Sequence, residues 1–217
     1  SDMCSSDLAG TGNLSRFVKI VDVDRAVQVF VSCPVMQKLP RMVRLIPLIL
    51  AMAVATLYAV MALGLHRTGL RVPAGHDGDS LMMLQWIDSM ARGEGWMGDR
   101  RLGLPGTQDL SDFPRADYLH LAGLQFLCRF SSDPAVVMNL ALVIDFPLIV
   151  LSAHAAFRWL GIGPWISAAL ATLFACLPYH LGQVNHLFLA GYFLVPWQLI
   201  PAIGLARSVD TKSAESN

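Results

Sequence analysis

The stretch GHDGDS at residues 75–80 places Asp77 and Asp79 one residue apart between glycines. Carboxylates at this spacing can bind a metal ion or act as a general base. They can also simply cap the helix that follows, with Asp79 or Ser80 as the N-cap residue. Which of these applies depends on where the turn lies relative to a membrane, so the elements around it must be identified first.

The composition is that of a membrane protein. The 217 residues are 54% hydrophobic and 15% charged, with a mean hydropathy of +0.51, which is too apolar for an ordinary soluble domain. The formal net charge of zero gives no electrostatic reason to expect nucleic acid as a partner. The four cysteines are far apart and show neither a CxxC motif nor zinc-ligand spacing, so we expect no disulfide framework or metal cluster.

Four apolar runs are long enough to cross a hydrocarbon core of about 30 Å. They are residues 45–65, 135–157, 160–177 and 187–206. The sequence therefore predicts an all-α, polytopic helical membrane protein with about four transmembrane helices and a long helical first loop outside the cytoplasm. The predicted boundaries are residues 41–65 for the first span, 66–134 for the loop, 135–206 for the other spans and 207–217 for a cytoplasmic tail.

Basic residues near the span ends predict the orientation. Arg41 and Arg44 precede the first span, Arg158 separates the second and third, and Arg207 and Lys212 follow the fourth. All five fall on one side if the spans alternate, and that side is then cytoplasmic. The loop at residues 66–134 and the short segment 178–186 are predicted to face outward together.

Residues 1–40 are predicted to be a cytoplasmic or spurious extension. Residues 1–35 do not resemble a secretory signal, because RFVKIVDVDRAVQVFVS alternates apolar and polar residues without an apolar core or cleavage site. We expect Met36 to be the natural start, with the preceding residues either an over-extended reading frame or a small cytoplasmic extension. The polar ending RSVDTKSAESN is typical of a frayed tail, and we expect the chain to be a fragment.

Two amphipathic helices are predicted inside the first loop. Residues 80–92 carry apolar side chains at helical spacing together with the i,i+4 pair Asp88 and Arg92. Residues 118–130 form a second apolar run that is too short to cross a membrane. Both helices either lie in the membrane interface, with Trp86 and Tyr118 at headgroup level, or pack on each other as a small core.

The order of these features resembles a known family. A basic flank and a span are followed by a GD-S-L turn, an amphipathic helix, RLGLPGTQDLSDFPRADYLHL, and spans that contain PYHLGQVNHLFLAGYFLVPW. This series, over roughly residues 40–206, resembles the amino-terminal part of bacterial inner-membrane glycosyltransferases of the GT-C type. Such enzymes take sugars from polyprenyl-phosphate carriers and build their active site on the first extracytoplasmic loop. The family has more than four spans and draws on later ones for its lipid-sugar site.

The resemblance implies roles for particular residues. Asp79 matches the acidic residue that follows the first span, a general base or metal ligand, and Asp112 and Asp117 complete a catalytic acidic set. Transfer from a lipid phosphate needs a carboxylate to deprotonate the acceptor and positive charge for the departing phosphate. The residues implied in substrate binding are Asp77, Arg100, Arg101, Arg115, His120 and His186.

The cofactor requirement stays open, with a divalent metal ion as one option and no metal ligand assigned. His180, Asn185 and His186 are predicted to cluster at the outer mouth of the last two spans. The two histidines are six residues apart, which is not the i,i+4 spacing of a helical zinc pair. The expected partners are membrane lipid and a polyprenyl-phosphate-linked sugar, with no nucleic acid.

A second interpretation is a non-catalytic membrane protein, such as a transporter or flippase-like component of envelope polysaccharide assembly. Asp145 favours it, because the sequence places this acid near the middle of the second span, where an ionisable group is costly. It would bond a neighbouring helix, remain protonated, or line a polar pathway. The third interpretation, a soluble enzyme that binds a nucleotide-sugar through its DxD motif, conflicts with the four apolar runs.

Overall fold

The computed structural model describes residues 41–103, 105–109 and 117–215. Helices dominate these residues, and the only strands among them form one small antiparallel hairpin that pairs Gly98 with Asp109 and Asp99 with Gln108. In chain order the elements are α1 Arg41–Ala62, α2 Leu65–Thr68, α3 Asp79–Ala91, β1 Gly98–Asp99, β2 Gln108–Asp109, α4 Tyr118–Leu127, α5 Pro134–Trp159, α6 Pro164–Ala175, α7 Pro178–Gly182, α8 Leu187–Ala190, a 3-10 turn Tyr192–Leu194 and α9 Val195–Glu215.

Four helical segments are long and apolar enough to cross a membrane, as predicted. They are Leu45–Ala62, Pro134–Trp159, Pro164–Gly182 and Leu187–Leu205. Large apolar side chains such as Leu57 on α1 and Leu173 on α6 are exposed along them, as expected of a surface that faces lipid. The prediction of an all-α polytopic helical membrane protein is confirmed.

The spans pack through small residues. Ala51, Ala55 and Ala59 form a buried stripe on α1 and contribute to the same core as Ala171 and Ala175 of α6. Lipid tails are as apolar as these side chains, so helices in a membrane associate mainly by close van der Waals packing, which small residues permit. We call α1, α6 and the second half of α5 the bundle.

Replacing Ala171 with leucine is expected to destabilise the bundle by about 1–3 kcal/mol, because a fully buried interface position has no room for the larger side chain. Ala169→Leu is the matched control, since Ala169 is exposed on the same helix. Thermal unfolding of the two variants in one detergent measures the difference. Equal unfolding temperatures would mean that α6 does not pack through this face.

The first half of α5 belongs to a separate cluster that we call the loop layer. Met83, Trp86 and Met90 of α3 pack there with Leu121 of α4 and Leu187 of α8. The two predicted loop helices therefore exist, and they pack together with α5. The Trp86 side chain fills this core and is buried, and its level relative to a membrane stays a prediction.

Asn139 ties the start of the loop to α5. It is fully buried, its Nδ2 donates to the carbonyl oxygens of Leu70 and Val72 at 2.8 Å, and its Oδ1 accepts from the N–H of Ala74 at 2.9 Å. One amide side chain thus satisfies three backbone groups of a segment without regular structure. Because this segment leads directly into GHDGDS, Asn139 positions the acidic turn.

Asp145 lies near the middle of the second span, Pro134–Trp159, as the sequence predicted. Its neighbour Phe146 contacts Tyr58, with ring centroids 6.0 Å apart, and Tyr58 is four residues before the end of α1 at Ala62. At 1.5 Å per residue this level is about 6 Å from the end of α1. The middle of α5 therefore lies level with the last turns of α1, and the first half of α5 packs in the loop layer.

Candidate functional site

The acidic turn meets the segment that joins the last two spans. His186 Nδ1 lies 2.9 Å from Asp79 Oδ2, a contact between residues 107 positions apart. Both side chains are accessible, with His186 47% and Asp79 58% exposed. The described part of the loop between the first two spans and the segment 178–186 therefore meet on one side of the bundle, as the basic residues predicted.

The backbone of the turn leaves Asp79 free to make this contact. Gly78 is the N-cap residue of α3 at φ 51°, a conformation that favours glycine. The Asp77 carbonyl accepts from both the N–H and the hydroxyl of Ser80. The prediction that Asp79 or Ser80 caps the helix is wrong: Asp79 is the first residue of α3, and no side chain caps it.

The hydrogen bond to Asp79 sets the tautomer of His186. A carboxylate only accepts hydrogen bonds, so Nδ1 carries the proton that it shares with Asp79. In the neutral ring, Nε2 then holds a lone pair. An accessible imidazole held by a carboxylate in this way can take a proton from a hydroxyl group.

A second acid–histidine pair lies in the same region. Asp117 Oδ1 accepts from the backbone N–H of His120 at 3.3 Å and contacts His120 Nδ1 at 2.5 Å, so Asp117 both caps α4 and orients the ring. The other ring nitrogen, Nε2, is 3.1 Å from the carbonyl oxygen of Gly191. Both partners are acceptors, so the two bonds form together only when both ring nitrogens carry protons.

The two pairs lie at opposite ends of α8. His186 is the N-cap residue of this single helical turn, and Gly191 is its C-cap residue. Five residues at 1.5 Å each separate the two caps by about 7.5 Å along the axis. The structure therefore brings together four predicted site residues, Asp79, Asp117, His120 and His186.

Gly191 allows the close approach between α8 and α4. A Cβ atom at this position would lie 2.1 Å from His120 Nε2 and 3.1 Å from Asp145 Oδ2. Asp145 Oδ2 itself is buried without a hydrogen-bond partner among the described residues. An unpaired carboxyl oxygen in a buried position is costly, so the described residues leave the hydrogen bonding of Asp145 incomplete.

Two of the predicted arginines, Arg100 and Arg101, do not join this site. The Arg101 guanidinium binds the carboxylates of Asp88 and Asp99, and Asp88 lies about 14 Å along α3 from Asp79. The Arg100 N–H donates to Glu94 at 2.8 Å, and its side chain lines a polar cleft at the same far end of α3. Arg101 is therefore already engaged in holding the hairpin to α3.

Asp99 is the centre of that polar network. Its side chain is fully inaccessible and accepts from the Ser89 hydroxyl at 2.9 Å, from Arg92 at 3.0 Å and from the Arg101 N–H at 2.8 Å. The last of these bonds contributes most to holding the pKa of Asp99 well below its usual value of 3.8, against the opposing effect of burial. The predicted Asp88–Arg92 pair is also present.

These carboxylates predict how the loop layer responds to acid. Burial raises the pKa of Asp88, but hydrogen bonds from Arg92 and Arg101 outweigh it, so its pKa also lies below 3.8. Groups with lowered pKa values stabilise the fold fully above their unfolded-state pKa and lose that contribution as the pH falls through the folded-state value. We expect amide exchange in the hairpin to accelerate below about pH 4, and less so in Asp99→Asn. An unchanged acid response in Asp99→Asn would contradict this.

The remaining predicted residues are placed as follows. Asp77 is exposed beside Asp79, and its carboxylate has no partner among the described residues. Asp112 and Arg115 lie outside the described residues, so their roles stay predictions. His180 is buried against Phe146, with ring centroids 3.9 Å apart, rather than facing the mouth with His186.

A divalent metal does not fit the residues that the structure describes. No three His, Cys, Asp or Glu side chains converge among them in a way that could hold an ion. His186 Nδ1 and both ring nitrogens of His120 are already engaged by Asp79, Asp117 and the Gly191 carbonyl. We therefore assign no step to a metal.

Sequence reasoning missed two residues that shape the site. Asn139 anchors the segment before the acidic turn, and Gly191 lets His120 and Asp145 approach the end of α8. The signal for Asn139 was its position as an amide in the apolar run of α5, where a polar side chain needs partners. No comparable signal marked Gly191.

Comparison with known proteins gives no relatives. No protein-family model matches the chain, no curated protein matches it, and no solved structure matches it.

Proposed function

We propose that the chain acts as a membrane glycosyltransferase of the GT-C type, transferring a sugar from a lipid-phosphate donor at the outer face of a bacterial inner membrane. The observation that carries the proposal is the Asp79–His186 pair. In this pair an accessible imidazole contacts a carboxylate where the acidic turn after the first span meets the segment before the last span. A lipid-linked donor and an acceptor from outside the membrane can meet at this level.

The pair divides the chemistry between its two members. His186 Nε2 removes the proton from the acceptor hydroxyl, and the freed oxygen attacks the anomeric carbon of the sugar. The bond from that carbon to the phosphate oxygen breaks, and its electron pair leaves with the lipid phosphate. Asp79 holds the ring and stabilises the imidazolium that forms. This reverses the role predicted from the sequence, in which Asp79 itself was the base.

The departing phosphate needs positive charge. Arg100 and Arg101 lie at the far end of α3, so they do not contribute at the Asp79–His186 pair. Arg115 precedes Asp117 by two residues in the sequence and is the predicted arginine assigned to this role.

The proposal is tested with the full chain reconstituted in liposomes. Polyprenyl-phosphate carriers bearing radiolabelled sugars serve as donors, and a bacterial envelope extract serves as the source of acceptors. We expect label to move from at least one donor to the extract, and to move far less with His186→Ala. Absence of transfer from every donor tested would overturn the proposal.

The second candidate, a transport component without catalysis, is favoured by Asp145. Its buried Oδ2 has no hydrogen-bond partner among the described residues and is the kind of group that lines ion or proton pathways in membranes. A pH-sensitive dye inside the same liposomes distinguishes the candidates. Transport would be favoured if the unchanged chain moves protons but transfers no sugar, and if Asp145→Asn abolishes the proton movement.

A further inference from the structure

An apolar groove of about 380 Å³ runs between α4 and α5. Leu119, Phe126 and Ile144 line it and are exposed, so the groove is open on the surface that the apolar side chains of α4 and α5 present to lipid. A groove lined in this way is suited to a hydrocarbon chain. The membrane itself supplies molecules with such chains directly to its opening.

Two ionisable side chains, His120 and Asp145, interrupt the apolar lining. The ring nitrogens of His120 already face Asp117 and the Gly191 carbonyl. Asp145 is 5% exposed, and its Oδ2 has no hydrogen-bond partner among the described residues. The unsatisfied polar atom in the groove is therefore a carboxyl oxygen, and it needs a donor.

The charges along the groove restrict the headgroup. Among the described residues its lining contains no lysine or arginine, and the His120 ring is held by Asp117 and the Gly191 carbonyl. A phosphate group placed among these residues would meet the Asp145 carboxyl group with no guanidinium or ammonium group to bind it. An uncharged hydroxyl avoids the repulsion and can donate to Asp145.

We propose that this groove binds the hydrocarbon chain of a lipid with an uncharged hydroxyl group, and that the hydroxyl donates a hydrogen bond to Asp145 Oδ2. The lipid-phosphate donor of the proposed function is then not the occupant of this groove. The inference concerns binding alone and does not require that the chain transfer a sugar.

The test is photolabelling of the full chain in lipid nanodiscs. Three probes share one long chain with a diazirine and differ at the end: a primary alcohol, the matched hydrocarbon without the hydroxyl, and the alkyl phosphate. We expect the alcohol to label peptides of α4 and α5 about tenfold more efficiently than the hydrocarbon, as one hydrogen bond to a buried acceptor allows. The alkyl phosphate should label them less than the alcohol.

Two variants locate the binding. Gly123 lines the groove, and a Cβ there meets no atom within 4 Å, so Gly123→Leu is expected to fill the groove and abolish specific labelling without a backbone clash. Gly204→Leu on α9 is the matched control, because a Cβ at that exposed glycine also meets nothing within 4 Å. Asp145→Leu should reduce labelling by the alcohol to that of the hydrocarbon.

Three results would overturn the proposal. Equal labelling by the alcohol and the hydrocarbon would show that no hydrogen bond to Asp145 contributes to binding. Stronger labelling by the alkyl phosphate than by the alcohol would contradict the assignment of an uncharged headgroup. Labelling that persists in Gly123→Leu at the level of Gly204→Leu would place the lipid elsewhere. If Asp145→Leu fails to fold, the probe series and the Gly123 variant still decide the question.

Discussion

Asp79→Asn is expected to lower the rate of sugar transfer by about 10²–10⁴-fold, the usual contribution of general base catalysis. The asparagine amide can donate to His186 Nδ1, which moves the ring proton to Nε2 and removes the lone pair that accepts the substrate proton. Since Asp79 is 58% exposed, the substitution should leave folding unchanged. Initial rates with saturating donor, together with thermal unfolding, separate the two effects.

Asp77→Asn is the matched control for Asp79. The two acids are neighbours in one turn, but the Asp77 carboxylate does not contact His186, so its loss should reduce the rate by a much smaller factor. Equal losses from the two substitutions would show that the charge of the turn matters rather than the pair. An Asp79→Asn variant with the full rate would rule out the assigned mechanism.

Asn139→Leu is expected to destabilise the protein by about 3 kcal/mol, because three backbone groups at residues 70–74 lose a buried partner at once. The same change should release the segment that carries the acidic turn and lower transfer as well. Thermal unfolding measures the first effect, and amide exchange at residues 70–80 measures the second.

Ser152→Ala is the control on the same helix. The Ser152 hydroxyl is buried, but it bonds only the Ile149 carbonyl of α5 itself, so its removal should cost little. Unchanged stability and exchange in Asn139→Leu would mean that the loop layer is held by α3 and α4 without this amide.

The spans and the loop helices could be predicted because their signals are local. A run such as residues 45–65 specifies a membrane helix by length and apolarity, and residues 80–92 specify an amphipathic helix by spacing. Their packing could not be predicted, because periodicity does not show which partner an apolar face meets. The sequence therefore left open whether Trp86 lies at the membrane interface or packs in a core, and its side chain is buried in the loop layer.

The sequence identified the residues of the site, but it did not show which of them pair. The acidic turn and His186 were each visible as polar groups next to apolar runs, but nothing local links positions 107 residues apart. The capping prediction for Asp79 was wrong. An aspartate at the start of a helix often caps it, but the sequence does not show that Gly78 takes the N-cap position here and that the Asp79 carboxylate makes no capping bond. The position of Asp145 within its own span was predicted correctly, but which part of α1 it lies beside depends on packing that the sequence of a single helix does not encode.

The central claim is that Asp79 and His186 act as one unit, and a double-mutant cycle on the transfer rate tests it most directly. The rates of Asp79→Asn, His186→Ala and the double variant are compared with that of the unchanged chain. Groups that act together lose most of their effect with the first substitution, so the double variant should be about as slow as the slower single variant. Losses that multiply in the double variant would contradict the claim and show that the two side chains act separately.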